Sequence, residues 1–213
     1  MIENMRCELI SWSAVEALCQ QLGLMIKRSG YRPDMVVAIA RGGYVPARLM
    51  CDYLDIVALT SIKIEHYRSG ANRQERAVVR QPLSVDISKR KVLLVDDVND
   101  SGDTLRVAVD HLQSFRPQGL KVAVLHHKVV SDMEVDYCVH KVVKWRWIIY
   151  PWAVKEDVSD FLRRLSPRPC TPAQAQAQLK QAFDMDISLK RLEHVYALME
   201  AEPEDAKDER ASL

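Results

Sequence analysis

The sequence predicts an α/β fold: an open, mainly parallel sheet flanked by helices, with a small helical C-terminal extension. Three observations predict it. MVVAIA (35–40), KVLLVD (91–96) and LKVAVLH (120–126) are short apolar runs, as expected of strands buried on both faces. Segments of helical spacing alternate with them. After Pro151 the character changes to prolines and helix formers.

The elements follow in order. Ser13 and Glu16 have capping-box spacing, and Val15, Leu18, Leu22, Met25 and Ile26 repeat at helical intervals. A helix over about 13–29 follows, ended by Gly30 and Pro33. The strand 35–40 leads through Arg41-Gly42-Gly43 to a helix from about Pro46 to Leu54. VALTSIKI (57–64) reads as a strand. The stretch from Tyr67 to Arg90 is polar and weakly periodic. A second buried strand ends at the acidic pair Asp96-Asp97, and a helix spans about Thr104 to Phe115. The run 120–126 is the third buried strand. Glu156 to Leu165 reads as helix, and Pro167, Pro169 and Pro172 mark a linker. Thr171-Pro172 is an N-cap and first-turn pair ahead of AQAQAQLKQAF. A last helix covers about Leu189 to Met199, and the charged end EPEDAKDERASL is expected to fray. The expected organisation is one domain over 1–165, then linker, helical extension and tail over 166–213.

Bulk properties narrow the function. Hydrophobic residues make up 48% of the 213, enough for an ordinary core, and the net charge is +1. Charge therefore gives no reason to expect a nucleic-acid or membrane surface. No apolar run approaches the roughly 18 residues of a spanning helix, and MIENMRCELI lacks the features of a signal peptide. The five scattered cysteines, with no CxxC pair, read as reduced thiols in a cytoplasmic protein.

The chemistry concentrates in VLLVDDVNDSGDT (92–104). Open parallel sheets bind ligands at the carboxyl ends of their strands. Paired carboxylates there can hold a metal or accept hydrogen bonds from two neighbouring hydroxyls, as on a ribose. Asp100, Ser101, Gly102, Asp103 and Thr104 then lead into a helix, whose first N–H groups make an anion site. The stretch suits a ligand with a sugar diol at one end and a phosphate at the other. A P-loop NTPase also places an acid after an apolar strand, but GxxxxGK[ST] does not occur in this chain. Arg41-Gly42-Gly43 suits a diphosphate equally well as a plain strand-to-helix turn.

The thirteen residues resemble the ribose-phosphate signature of the type I phosphoribosyltransferases: four apolar residues, an acidic pair, an apolar residue, then D-[ST]-G-x-T. Asn99 falls at a variable position, and the charge of Asp103 is not ideal beside an anion. The resemblance implies transfer of a 5-phosphoribosyl group from phosphoribosyl pyrophosphate (PRPP) to a nitrogen, with Mg²⁺ and release of pyrophosphate. It assigns PRPP binding to Asp96, Asp97, Asp100, Ser101, Gly102, Asp103 and Thr104, with Arg41, Gly42 and Gly43 at the diphosphate. The metal falls to Asp97 and Asp96 together with substrate oxygens. Asp100 is the catalytic candidate, placed where the purine's five-membered ring should arrive.

RGG one crossover before the acidic strand is similar to the purine branch of the family, where a non-proline cis peptide would fall at Ala40–Arg41. The segment 67–80, with Arg68, Arg73, Arg76 and Arg80, matches either a closing hood or a solvated loop. Lys128 after the third strand, and Trp147 with Ile148, resemble the base pocket of the xanthine–guanine and hypoxanthine–guanine enzymes. There a Lys meets the six-position oxygen and an aromatic residue covers the ring. The resemblance implies purine salvage on a 6-oxopurine by a homodimer or larger homo-oligomer. The alternative is a non-catalytic PRPP- or nucleotide-sensing regulator on the same fold.

Overall fold

The computed structural model describes residues 5–68 and 75–201. Two compact units divide the chain: Ser13–Trp145, and a second made of Met1–Trp12 with Arg146–Leu213.

The first unit carries a six-stranded sheet in the order β4-β3-β2-β5-β6-β7. Its strands are β2 (Met35–Ala40), β3 (Leu59–Arg68), β4 (Glu75–Gln81), β5 (Lys91–Asn99), β6 (Gly119–Lys128) and β7 (Tyr137–Val142). All neighbours are parallel except β3 and β4. Helices α1 (Trp12–Arg28), α2 (Tyr44–Leu54) and α3 (Asp103–Gln113) complete the connections.

Both faces of the central strands are buried. Val37, Ile39, Leu94, Val122 and Val124 pack with Leu105, Ala108 and Leu112 of α3. The residues between them, Val36, Ala38, Leu93, Val95, Ala123 and Leu125, are also buried and point to the opposite face. Each fully buried aliphatic side chain contributes about 1.5–3 kcal/mol. Helix α1 begins at Trp12, so Ser13 lies inside its first turn and is not its cap.

In this sheet the largest departures from expectation are at β3, β4 and β7. β3 runs past residue 64 to Arg68. Part of the polar stretch after Tyr67 is strand β4, with partly buried Ala77 and Val79 alternating with exposed Arg76, Val78 and Arg80. β7 was not predicted at all. Of the expected hood over 67–80, residues 69–74 lie outside the described residues, as does the expected frayed tail 202–213.

The second unit pairs β1 (Cys7–Leu9) in parallel with β8 (Trp147–Ile149) and adds α4 (Val154–Arg164), α5 (Pro172–Phe183) and α6 (Leu189–Glu200). Thr171 accepts a hydrogen bond from the Gln174 N–H at 3.3 Å, the predicted cap of α5. Its core joins Cys7 and Ile149 to Val158, Phe161, Leu179, Phe183 and Leu192. The two compact units meet in sequence at Trp145/Arg146, and the expected linker and extension over 166–213 lie within the second. The β1–β8 pairing, between residues far apart in sequence, ties the extension to the N-terminus.

Candidate active site

The site lies at the carboxyl ends of β2, β5 and β6. Strand β2 ends at Ala40, the Ala40–Arg41 peptide is cis, and the turn passes directly into α2. The Gly43 N–H donates to the Ile39 carbonyl at 2.8 Å. A Cβ on Gly43 would stand 2.7 Å from the Ile39 carbonyl oxygen and would also strike that of Val95, so no side chain fits between β2 and β5. A Cβ on Gly42 would lie 2.6 Å from the Asp97 carboxyl carbon. The glycine loop and one member of the acidic pair thus meet across adjacent strands.

The two aspartates are not equivalent. Successive strand residues point to opposite sides. Asp97 is half-buried beside Gly42. Asp96 is buried, and its Oδ1 accepts from the Asp97 N–H at 2.9 Å. Burial, reinforced by the neighbouring Asp97, pushes the Asp96 carboxyl well above its ordinary value.

Beyond β5 the chain turns at Gly102 with φ +93°, a left-handed conformation that favours glycine. A Cβ there would also stand 2.6 Å from that of Met133. Helix α3 starts immediately afterwards at Asp103, so its N-terminal end opens at the 101–104 turn. The charge of Asp103 is taken up locally. Its carboxylate accepts from the Ser101 hydroxyl at 2.9 Å and from Arg106 at 3.2 Å. Thr104 Oγ1 lies 3.0 Å from His66 Nε2 on β3, which brings an unpredicted imidazole to the phosphate turn. Asn99 is structural. Its amide donates to the Met133 carbonyl at 2.8 Å and accepts from the Ser131 hydroxyl at 3.0 Å, pinning the loop after β6 against the turn.

On β6, Lys128 is buried, its side chain only 3% exposed. Its Nζ donates to Asp100 Oδ2 at 2.6 Å. A residue that the sequence did not single out completes this group. The Trp145 ring lies 4.3 Å from the Lys128 ammonium, and its indole N–H donates to Asp100 Oδ1 at 3.3 Å. Trp145 stands in the irregular stretch after β7, where periodicity carries no signal.

In the second unit, Trp147 opens β8, partly exposed, with its ring edge-on to Phe161 at 6.5 Å, and Ile148 is buried beside it. Ser13–Trp145 thus brings together Arg41, Gly42 and Gly43 with Asp96 and Asp97, and the 101–104 turn with Asp100 and Lys128. Trp147 and Ile148 belong to the other unit.

Comparison with known proteins gives the same reading. A phosphoribosyl transferase domain model matches residues 8–158. The chain is 31% identical over 154 residues to the xanthine-guanine phosphoribosyltransferase of Ruegeria sp., covering 67% of this chain and 83% of that one. It is 26% identical over 189 residues to the hypoxanthine-guanine phosphoribosyltransferase of Saccharomyces cerevisiae, covering 68% and 85%. Among solved structures, the purine phosphoribosyltransferase from Pyrococcus horikoshii aligns with a TM-score of 0.62 at 30% identity, over 70% of this chain and 94% of that one. The turn, the acidic strand and the glycine loop described above all fall within the matched span, and the chain belongs to the phosphoribosyl transferase family.

Proposed function

We propose that the protein is a purine phosphoribosyltransferase. It transfers the 5-phosphoribosyl group of PRPP to a ring nitrogen of a 6-oxopurine and releases pyrophosphate. The observation that carries the base class is the buried Lys128 ammonium beside Asp100. An ammonium donates hydrogen bonds and accepts none. The carbonyl oxygen of hypoxanthine, guanine or xanthine satisfies it, whereas the amino group of adenine faces it with another donor. The names of the relatives in Ruegeria sp. and Saccharomyces cerevisiae support the same class.

In this reading the N–H groups of the 101–104 turn, with the Ser101 and Thr104 hydroxyls, hold the 5-phosphate. Arg41, Gly42 and Gly43 receive the diphosphate, and Asp97 meets the ribose hydroxyls. The loops hold ribose and base in line. Asp100 accepts or shares the proton of the base nitrogen as the bond forms. The roles of Trp147 and Ile148 at the base rest on the family resemblance alone.

The donor set suits magnesium brought in with the substrate. Among the described residues no three His, Cys, Asp or Glu side chains cluster to enclose an ion. A hard cation completes its shell with phosphate oxygens and water. Asp97, half-exposed, would hold it, and buried Asp96 is the poorer ligand. When bound, the cation would neutralise charge on the departing pyrophosphate. Among the described residues no helix is long and apolar enough to cross a membrane. The five thiols are all free, which supports a cytoplasmic location. The family resemblance supports assembly as a homodimer or larger homo-oligomer.

The test compares kcat/KM for hypoxanthine, guanine, xanthine and adenine in wild type, Lys128→Met and Trp147→Ala. Wild type should turn over at least one oxopurine and reject adenine by roughly 10⁴-fold or more. Lys128→Met should lower efficiency with oxopurines and narrow that gap, and Trp147→Ala should weaken all purines alike. Unchanged selectivity in Lys128→Met would remove Lys128 from base recognition.

A further inference from the structure

The Lys128–Asp100 pair poses a problem for the free enzyme and another for catalysis. With a 3% exposed side chain, Lys128 has almost no water to solvate its charge. It is held instead by Asp100 Oδ2 at 2.6 Å and by the face of the Trp145 ring at 4.3 Å. Asp100 is occupied at both oxygens, since Oδ1 accepts from the Trp145 indole N–H at 3.3 Å. A base N–H that reaches Asp100 competes with these two donors for the carboxylate. A carbonyl oxygen that reaches Lys128 competes with Asp100 for the position of the ammonium. One exchange eases both competitions, provided that something keeps the carboxylate aligned while the lysine moves.

We propose that Trp145 is the positioning residue of this exchange: its ring face confines the Lys128 ammonium while its indole N–H holds Asp100. This rests on the reading of Lys128 and Asp100 as base-site residues. The Trp145 side chain touches both members of the pair. It does so from an irregular stretch, with 42% of its surface exposed. No regular backbone ladder fixes its place, and an indole this exposed gains less from burial than a core tryptophan. On arrival of the base, Lys128 turns from Asp100 to the carbonyl. Oδ2 becomes available to the base N–H, while the indole remains on Oδ1. The two parts of the side chain are separable. Trp145→Phe keeps an aromatic face and deletes the N–H, and Trp145→Ala deletes both.

Steady-state kinetics and an indole ¹H–¹⁵N spectrum test this together. Trp145→Phe should keep KM for the base within about twofold of wild type and lower kcat by about three- to tenfold. Trp145→Ala should lower kcat similarly and also raise KM for the base by about tenfold, with KM for PRPP unchanged. The indole resonance missing in Trp145→Phe identifies Trp145 among the four tryptophans. It should shift in Asp100→Asn without any substrate. Equal rises in both KM values, base kinetics of Trp145→Ala within about twofold of wild type, or an unmoved indole resonance would each overturn the proposal. If wild type turns over no purine but the resonance moves, the base-transfer reading fails and the indole contact stands.

Discussion

The acidic pair shows how one strand gives two identical side chains different work. Strand alternation buries Asp96 and leaves Asp97 beside Gly42. Asp97→Asn should keep a near-wild-type melt and lose roughly tenfold or more in Mg²⁺-dependent PRPP affinity, because a charged acceptor is removed. Calorimetric titration with PRPP and Mg²⁺ checks this. Asp96 makes the opposite prediction. Its folded pKa is raised above the ordinary 3.8, so the folded state holds the proton longer than the unfolded chain. Stability on this account is fully retained below about 3.8 and declines as pH rises from there towards the folded pKa. Asp96→Asn removes that dependence while its carbonyl still accepts from the Asp97 N–H. The variant should melt above wild type at pH 8, with the difference closing towards pH 4. A constant difference across that range would contradict the assignment.

The glycine loop makes its prediction at the level of the element. A side chain at Gly43 meets backbone atoms of Ile39 and Val95, which cannot turn aside. Gly43→Ala should cost roughly 1–3 kcal/mol in urea denaturation. The atoms nearest to a side chain at Gly42 are those of the Asp97 carboxyl group, a side chain and not backbone. Gly42→Ala should therefore spare stability and weaken PRPP binding. Equal unfolding midpoints for the two variants would contradict this distinction. Elements buried on both faces were the legible ones: 35–40 matches β2 residue for residue, and β5 and β6 differ only at their ends. Strand β4 was hidden because its inward side holds small or partly buried residues, Ala77 and Val79, among arginines. In the site, the 92–104 pattern was legible because backbone geometry dictates it. Trp145 and His66 were not, because long-range side-chain contacts bring them in.

At the level of the whole molecule, the C-terminal helices form a core with the chain's beginning. Phe183 is 1% exposed and packs against Phe161 with ring centroids 4.7 Å apart and the planes tilted by 45°. Phe183→Ala should destabilise the second unit by about 3–5 kcal/mol, seen as lost protection of β8 and α4 amides in hydrogen exchange. Wild-type protection there would mean that the extension packs independently of β8. This coupling was not legible in sequence, because a three-residue β1 and a three-residue β8 carry too little pattern to announce a pairing. The central claim concerns the reaction itself. The most direct test follows PRPP with Mg²⁺ by ³¹P NMR, adding hypoxanthine, guanine, xanthine or adenine in turn. The account predicts equimolar pyrophosphate and a purine nucleoside 5′-monophosphate with at least one oxopurine, and PRPP left intact with adenine. PRPP that binds but is not consumed with any oxopurine, or is consumed with adenine alone, would contradict it.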